Sequence, residues 1–139
     1  MVLRLLGDLS TPGDPGIDPD RAARIFARMA SYPDYAVYVA EEGGAIVGTF
    51  ALLVLDNLGH GGSPEGLVEN VVVEASRRGQ GIGAAMMRFA MDRCADAGCY
   101  KMVLSSNVKR EAAHRFYDDL GFLRHGLSFA VTFPGGGKT

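Results

Sequence analysis

The sequence predicts a mixed α/β fold, and three observations support this prediction. Two strand-like runs flank the turn Glu42-Gly43-Gly44, a third strand-like run follows without an intervening helix, and the C-terminal half then alternates helix and strand patterns. Strands joined by short turns pair antiparallel, whereas a strand–helix–strand unit gives a parallel crossover. We therefore expect a mixed sheet with helices on its faces.

The elements follow in the order helix, helix, three strands, helix, strand, helix, strand. Apolar residues at helical spacing predict a first helix over residues 2–9. Asp18 and Pro19 predict the cap and first turn of a second helix, which ends before Pro33. The later predicted elements are strands Tyr35–Glu41, Ala45–Leu55, Leu67–Glu74, Lys101–Ser105 and Phe122–Phe133, and helices Gly81–Ala97 and Lys109–Leu120.

Length and composition exclude several classes of protein. The chain of 139 residues has a formal net charge of -2, which lacks the basic excess of a nucleic-acid-binding protein. Its apolar runs are shorter than the roughly 20 residues that a membrane span needs. One domain over residues 1–139 is expected, without a nucleic-acid or membrane partner. The two cysteines and the absence of a signal-peptide pattern predict a reducing, cytoplasmic compartment.

A glycine-rich loop, Arg78-Gly79-Gln80-Gly81-Ile82-Gly83, lies between the third strand and the following helix. Glycines let the backbone approach a ligand closely, and the free N–H groups of a helix start attract anions. The loop therefore predicts a phosphate or pyrophosphate site, with a glycine-rich turn that binds nothing as the alternative. His60 and His125 lack partners at metal-ligand spacing, so we expect no metal site.

Two other phosphate-binding motifs match only formally. Residues 79–84 satisfy G-x-G-x-x-G/A, but Glu74 to Arg78 separate the strand from the first glycine, and no acidic residue follows about 20 positions on. The C-terminal Gly137-Lys138-Thr139 is similar to the end of a P-loop, yet Thr132 occupies the position of the required upstream glycine. The sequence therefore favours neither a dinucleotide fold nor a P-loop.

The stretch from Glu69 to Phe122 resembles the GNAT superfamily of acetyl-CoA-dependent N-acetyltransferases. The family pattern Q/R-x-x-G-x-G/A is met by Arg78, Gly81 and Gly83. About forty residues further on, the pattern A-x-x-F/L-Y-x-x-x-G-F is met by Ala113, Phe116, Tyr117, Gly121 and Phe122. The run from Ser106 to Tyr117 is similar to a branch of small-amine acetyltransferases, such as those acting on aminoalkylphosphonates.

The resemblance implies the GNAT fold, with a sheet that splays between the fourth and fifth family strands, and acetyl-CoA as cosubstrate. Backbone N–H groups from Arg78 to Ala84 would hold the pyrophosphate. Val71 to Val73 would pair with the pantetheine arm, and an N–H there would polarise the thioester carbonyl. The implied cofactor-binding residues are Val71, Val72, Val73, Arg78, Gly79, Gln80, Gly81, Ile82, Gly83, Ala84, Asn107, Arg110, Ala113 and Phe116.

Two residues are candidates for proton transfer. Tyr117, the matched family tyrosine, would donate a proton to the leaving thiolate, and core packing is its alternative role. An alkylammonium has a pKa near 10.4, so a base or a water relay would assist the transfer, and Glu69 is the candidate base. A solvated carboxylate or an ion pair with Arg77 is the alternative for Glu69. Glu65 and Asp56 are weaker candidates for binding a cationic acceptor.

The sequence departs from the family pattern in two places. Arg110 stands seven residues before Tyr117, where many family members have an asparagine that meets pantetheine, so an ionic contact is the alternative there. The first family strand is missing ahead of the first helix, from which we expect a truncated N-terminus. An unpaired sheet edge would favour a homodimer.

We therefore expect an N-acetyltransferase that moves the acetyl group of acetyl-CoA to a primary amine of a small molecule or peptide, by direct attack in a ternary complex. A non-catalytic acyl-CoA sensor of the same fold is the alternative, and a structural dimerisation module is a third class.

Overall fold

The computed structural model describes residues 2–7, 16–106 and 110–134, and within them it has the helices and strands that the sequence predicts up to residue 120. The helices are α1 (Val2–Gly7), α2 (Pro19–Met29), α3 (Ile82–Asp96) and α4 (Glu111–Asp119), and the strands are β1 (Tyr35–Glu42), β2 (Ala45–Leu55), β3 (Glu65–Val73) and β4 (Lys101–Val103). Residues 8–9 of the predicted first helix, and Lys109, lie outside the described residues.

The strands form one mixed sheet in the order β1-β2-β3-β4. β1 pairs with β2 and β2 with β3 in antiparallel fashion, while β3 and β4 are parallel, which confirms the predicted pairing. Gly43 and Gly44 join β1 to β2 with φ values of 58° and 82°. Positive φ at both central positions is typical of a type I′ hairpin turn, and glycine adopts it without steric cost.

The helix ends follow local chemistry. The Asp18 carboxylate accepts a hydrogen bond from the Arg21 N–H at 2.9 Å and caps α2, as the sequence predicts. The chain leaves the helix after Met29, four residues before Pro33. None of the helices in the described ranges combines the length and the apolar character needed to cross a membrane.

The two faces of the sheet are covered by different helices. On one face α3 buries Met86, Met87, Ala90 and Cys94 against Phe50, Leu52 and Val68. Val47, Thr49 and Ala51 alternate with these β2 residues, and they are buried although they point away from α3. α1 packs on β2 and β3 with Leu5 fully buried, and Arg4 Nη2 lies 3.3 Å from Glu74 Oε1. We infer that α1 covers this second face.

The sheet splays between β3 and β4. The two strands pair only where Glu65, Gly66 and Leu67 meet Lys101, Met102 and Val103. Beyond this point β3 continues from Val68 to Val73, about 20 Å of strand, with no partner on that side among the described residues. The resulting gap lies next to the N-terminus of α3.

The strand expected over Phe122–Phe133 does not form, so this prediction is wrong. Residues 122–134 have no regular secondary structure, and Leu127 and Phe129 are 85% and 91% exposed. Alternating apolar residues form a strand only when a neighbouring strand supplies hydrogen bonds. β4 is three residues long, so it offers no edge of matching length.

Candidate active site

The glycine-rich loop presents the N-terminus of α3 without a side-chain cap. Gly79 and Gly81 have φ values of 81° and 86°, a conformation that side-chain-bearing residues rarely adopt. Gly81 precedes the first helical residue, and no side chain of the described residues caps the helix. The first N–H groups of an α-helix have no partner within the helix and carry the positive end of its dipole. This loop is therefore a suitable anion site.

A cavity of about 930 Å³ lies between this loop, the end of β3 and α4. Ligand pockets commonly measure about 300–1,000 Å³, so it is large enough for an extended cofactor. It is lined by Val71, Val72, Val73, Arg77, Arg78, Gly79, Gly81, Ile82, Gly83, Ala84, Arg110, Glu111, Ala112, Ala113, Arg115, Phe116 and Tyr117.

The cavity brings together both halves of the sequence pattern. Of the candidate cofactor-binding residues, Gln80 is exposed and does not line it, and Asn107 lies outside the described residues. All the others line it, as does Tyr117. The lining residues that were not among the candidates are Arg77, Glu111, Ala112 and Arg115. Each of these residues is adjacent in sequence to a candidate on the same loop or helix, so the sequence could have indicated them by this proximity.

The cavity has a cationic lining. Among the described residues, Arg77, Arg78, Arg110 and Arg115 line it, and Glu111 contributes one carboxylate. Coenzyme A carries a pyrophosphate and a further phosphate, and guanidinium groups bind phosphate oxygens with charge-assisted hydrogen bonds. The charge, the size and the uncapped helix terminus therefore fit this group.

Two of these arginines also hold the loop in place. Arg78 Nε donates a hydrogen bond to the Val73 carbonyl at 3.2 Å, which ties the loop to the end of β3. Arg77 forms an ion pair with Glu42 at the β1–β2 hairpin. The alternative role of Glu69 as the ion-pair partner of Arg77 is therefore wrong, because Arg77 pairs with Glu42.

Tyr117 lies on α4 and lines the cavity. Its ring packs edge-on against those of Phe116 and Phe122, with centroids 5.1 and 5.4 Å apart. Burial raises the pKa of the Tyr117 phenol above its usual 10.0, and the positive charge of Arg110 partly opposes this shift. The phenol is therefore protonated at neutral pH and can donate its hydrogen.

Glu69 lies beside the cavity but on the opposite face of β3. Val68 and Val71 pack with the α3 core, whereas Glu69 is exposed and does not line the cavity. A β-bulge follows it: Ala51 pairs with Glu69 and Thr49 with Val72, so that two residues of β3 oppose one of β2. Asn70 in this bulge has a φ of 56°.

Glu65 and Asp56, the weaker candidates for binding the acceptor, do not line the cavity. Glu65 Oε2 accepts a hydrogen bond from the Tyr100 hydroxyl at 3.2 Å and lies 3.7 Å from Lys101 Nζ. These contacts hold it at the paired end of β3 and β4, away from the cavity lining. Asp56 follows the end of β2 and is exposed.

A mixed sheet that splays beside an uncapped, cation-lined helix terminus defines the class of acyl-CoA-dependent acyltransferases. The model of the acetyltransferase (GNAT) family matches residues 3–122, and the chain belongs to this family. It is therefore an acetyl-CoA-dependent N-acetyltransferase, as the sequence predicts. The family match ends at Phe122, where the segment without regular secondary structure begins.

Named relatives and solved structures support the assignment. A probable glucosamine 6-phosphate N-acetyltransferase of Oryza sativa subsp. japonica is 33% identical over 124 residues, covering 86% of this chain and 73% of the relative. An aminoalkylphosphonate N-acetyltransferase of Salmonella typhimurium is 32% identical over 104 residues, covering 75% and 67%. The structure of a putative acetyltransferase from Agrobacterium tumefaciens superimposes with a TM-score of 0.87 at 34% identity, covering 95% and 91%.

Proposed function

We propose that this protein transfers the acetyl group of acetyl-CoA to a primary amine of a small molecule or peptide, by direct attack in a ternary complex. The observation that carries the proposal is the single cavity that joins the N-terminus of α3, the unpaired end of β3 and Tyr117. A cosubstrate held there places its thioester beside a hydrogen-bond donor and next to an open gap in the sheet.

The cavity residues divide the binding of acetyl-CoA between them. N–H groups of the loop and first turn of α3, from Gly79 to Ala84, would hold the pyrophosphate. Val71 to Val73, which lack a neighbouring strand on that side among the described residues, would pair with the pantetheine arm. An N–H at the bulge would then polarise the thioester carbonyl.

The proposed reaction moves protons through two side chains, Glu69 and Tyr117. Glu69 takes a proton from the ammonium group of the acceptor, which leaves a neutral amine. The amine nitrogen forms a bond to the carbonyl carbon, and the carbon–sulfur bond breaks. Tyr117 donates its proton to the departing thiolate and regains one from the new amide nitrogen through solvent. One proton is released overall for each acetyl group transferred.

The names of the relatives indicate a chemical class of acceptor. Glucosamine 6-phosphate and aminoalkylphosphonates, which appear in the names of the relatives, both combine a primary amine with a phosphorus oxyanion. We therefore propose a compact amine of this kind as the acceptor. We retain the cytoplasm as the proposed location, because the chain has only two cysteines.

The test is release of free coenzyme A with glucosamine 6-phosphate, 2-aminoethylphosphonate and a panel of unphosphorylated amines. Tyr117→Phe should lower kcat about 100-fold while calorimetry shows unchanged binding of acetyl-CoA. Binding of acetyl-CoA without turnover on any amine would favour the non-catalytic sensor, and no binding at all would favour a structural module.

We also propose that the protein forms a homodimer. Apolar side chains alternate along residues 123–133, and Leu127 and Phe129 are almost fully exposed. The outer edge of β1 also has no partner strand among the described residues. A second copy of the chain is the occupant that could cover both features. Sedimentation should give twice the mass of the chain for the wild type and a monomer for Leu127→Asp/Phe129→Asp; a monomeric wild type would contradict the proposal.

A further inference from the structure

The face of the sheet that carries Glu69 has a half-buried apolar floor beyond α1. Tyr35, Leu53 and Leu67 are aligned across β1, β2 and β3 in one row, and Val37, Ala51 and Glu69 are aligned in the next. Side chains of one row point to the same face of the sheet. Tyr35, Val37, Leu53 and Leu67 are half-buried rather than buried, so this floor remains partly open to solvent.

Two tyrosines stand at one side of this floor. The rings of Tyr32 and Tyr35 lie with centroids 5.5 Å apart, tilted by 39°. Tyr32 is 47% exposed, so the pair can be reached from solvent. The backbone that carries the rings is anchored, because the Val54 N–H donates to the Asp34 carbonyl at 2.9 Å.

Glu69 faces this aromatic pair across the floor. Two strand spacings and one row separate Tyr35 from Glu69, about 12 Å between their Cα atoms, and both side chains reach into that distance. Burial raises the pKa of the Tyr35 phenol, and the nearby charge of Glu69 and the nearby Tyr32 raise it further. Within the described ranges, Glu69 forms no ion pair with a basic side chain.

An exposed carboxylate across the floor from two aromatic rings, with no basic partner among the described residues, suits a cationic ligand. Ammonium groups bind over aromatic faces within about 6 Å of the ring centroid, and carboxylates neutralise their charge. Glu69 comes immediately before the bulge, and Val71, two residues further on, lines the cavity on the other face. A ligand held by Glu69 therefore lies beside the part of β3 that borders the cavity.

We propose that Glu69, Tyr35 and Tyr32 form the acceptor-ammonium subsite, which receives the protonated primary amine of the substrate. Tyr35 and Tyr32 are specificity-determining residues here, because they select a cation, and Glu69 holds the ammonium and takes its proton. This assignment rests on the proposed acetyl transfer and extends it to the residues that recognise the acceptor.

The test compares substitutions at Tyr35 in the full chain, with the best amine of the panel as acceptor. Tyr35→Leu removes the aromatic face and should raise KM for the amine about tenfold, with KM for acetyl-CoA unchanged. Tyr35→Phe retains the ring and should restore KM to nearly the wild-type value. Phe89→Leu is the matched control: Phe89 is 47% exposed on α3, on the other side of the sheet, and its loss should leave both KM values unchanged.

A non-reactive probe separates binding from catalysis. Tetramethylammonium, which cannot be acetylated, should inhibit competitively against the amine, whereas neutral tert-butanol at the same concentration should not. The inhibition should weaken in Tyr35→Leu and in Glu69→Gln but persist in Phe89→Leu, with ionic strength held constant by sodium chloride.

The outcomes distinguish the subsite from the function on which it rests. If the wild type acetylates no amine of the panel, the proposed function fails. If the wild type turns over but Tyr35→Leu leaves KM for the amine unchanged, or raises both KM values equally, the transfer stands and the subsite is overturned. Equal inhibition by tetramethylammonium and tert-butanol would also overturn it.

Discussion

Gly66 of β3 and Cys94 of α3 are in contact at the point where the sheet begins to splay, and a methyl group at position 66 would overlap the Cys94 sulfur. Gly66 is paired with Met102 of β4, one residue before β3 and β4 separate. The missing side chain therefore lets α3 approach the sheet closely at the base of the gap. The absence of a side chain at Gly66 therefore affects both how closely α3 packs on the sheet and the place where β3 and β4 separate.

Gly66→Ala should lower the free energy of unfolding by about 1–3 kcal/mol, because added volume in a packed core strains its neighbours. In Gly66→Ala/Cys94→Ala the new methyl group gains room, since the Cys94 Cβ lies at an ordinary 3.7 Å. The double variant should therefore be more stable than the sum of the two single changes predicts. Urea unfolding of all four proteins measures this coupling.

Gly126→Ala is the control for Gly66→Ala. A methyl group at Gly126 would meet no atom within 4 Å among the described residues, so its effect on unfolding should be within about 0.5 kcal/mol of zero. Additive effects of Gly66→Ala and Cys94→Ala would show that the contact does not limit the approach of α3.

Two half-buried tyrosines predict how the protein responds to alkaline pH. The pKa values of Tyr117 and Tyr35 are raised above 10.0, mainly by burial, so these phenols keep their protons after an unfolded chain has begun to lose them. Because the unfolded state then binds fewer protons, stability is fully present below pH 10 and falls as pH rises further. Phenolate absorbance should show a late component, and Tyr117→Phe should reduce it.

Local chemistry explains which parts of the fold can be predicted from sequence. Asp18 caps α2, Gly43-Gly44 forms the hairpin, and the apolar run of β3 lies inside the sheet, because each depends on residues near in sequence or on burial. The segment 122–133 has the same alternation but no strand of matching length beside it. Alternating apolar residues predict that one face of a segment is buried, but they do not identify the strand or helix that buries it.

The cavity lining could be predicted from the two motifs, but the position of Glu69 could not. The bulge at Asn70 adds one residue to β3 directly after Glu69, so that Val71 faces the opposite side of the sheet from Glu69 instead of the same side. Asparagine adopts positive φ more readily than most residues, but the sequence alone does not show that Asn70 does so, with a φ of 56°. The partner of Arg77 was missed for a related reason: Glu42 is distant in sequence and meets it only in the folded sheet.

Arg110 should contribute to acetyl-CoA binding through its charge. It lines the cavity with three other arginines, at the position where the family pattern has asparagine. Arg110→Ala should raise KM for acetyl-CoA about 5- to 20-fold at low salt, which is the loss of one charge-assisted contact. The difference should shrink between 50 and 500 mM sodium chloride, because salt screens exposed charges.

Two comparisons test that assignment to charge. Arg110→Asn introduces the family residue and should recover part of the affinity without recovering the salt dependence. Arg88→Ala removes an exposed arginine of α3 that does not line the cavity, and its KM should match that of the wild type. A loss in Arg110→Ala that is independent of salt would indicate packing rather than an ionic contact.

The two cysteines should react with thiol reagents at very different rates. Cys94 is buried, and burial together with the nearby Cys99 thiol raises the pKa of Cys94 to about 12, so almost no thiolate forms at pH 8. Cys99 is half-buried and follows the end of α3. A thiol-reactive dye at pH 8 should therefore modify one thiol per folded chain, and the second only when urea unfolds the protein. Cys99→Ser should remove the early reaction and Cys94→Ala should retain it; an early reaction that survives in Cys99→Ser would contradict the burial of Cys94.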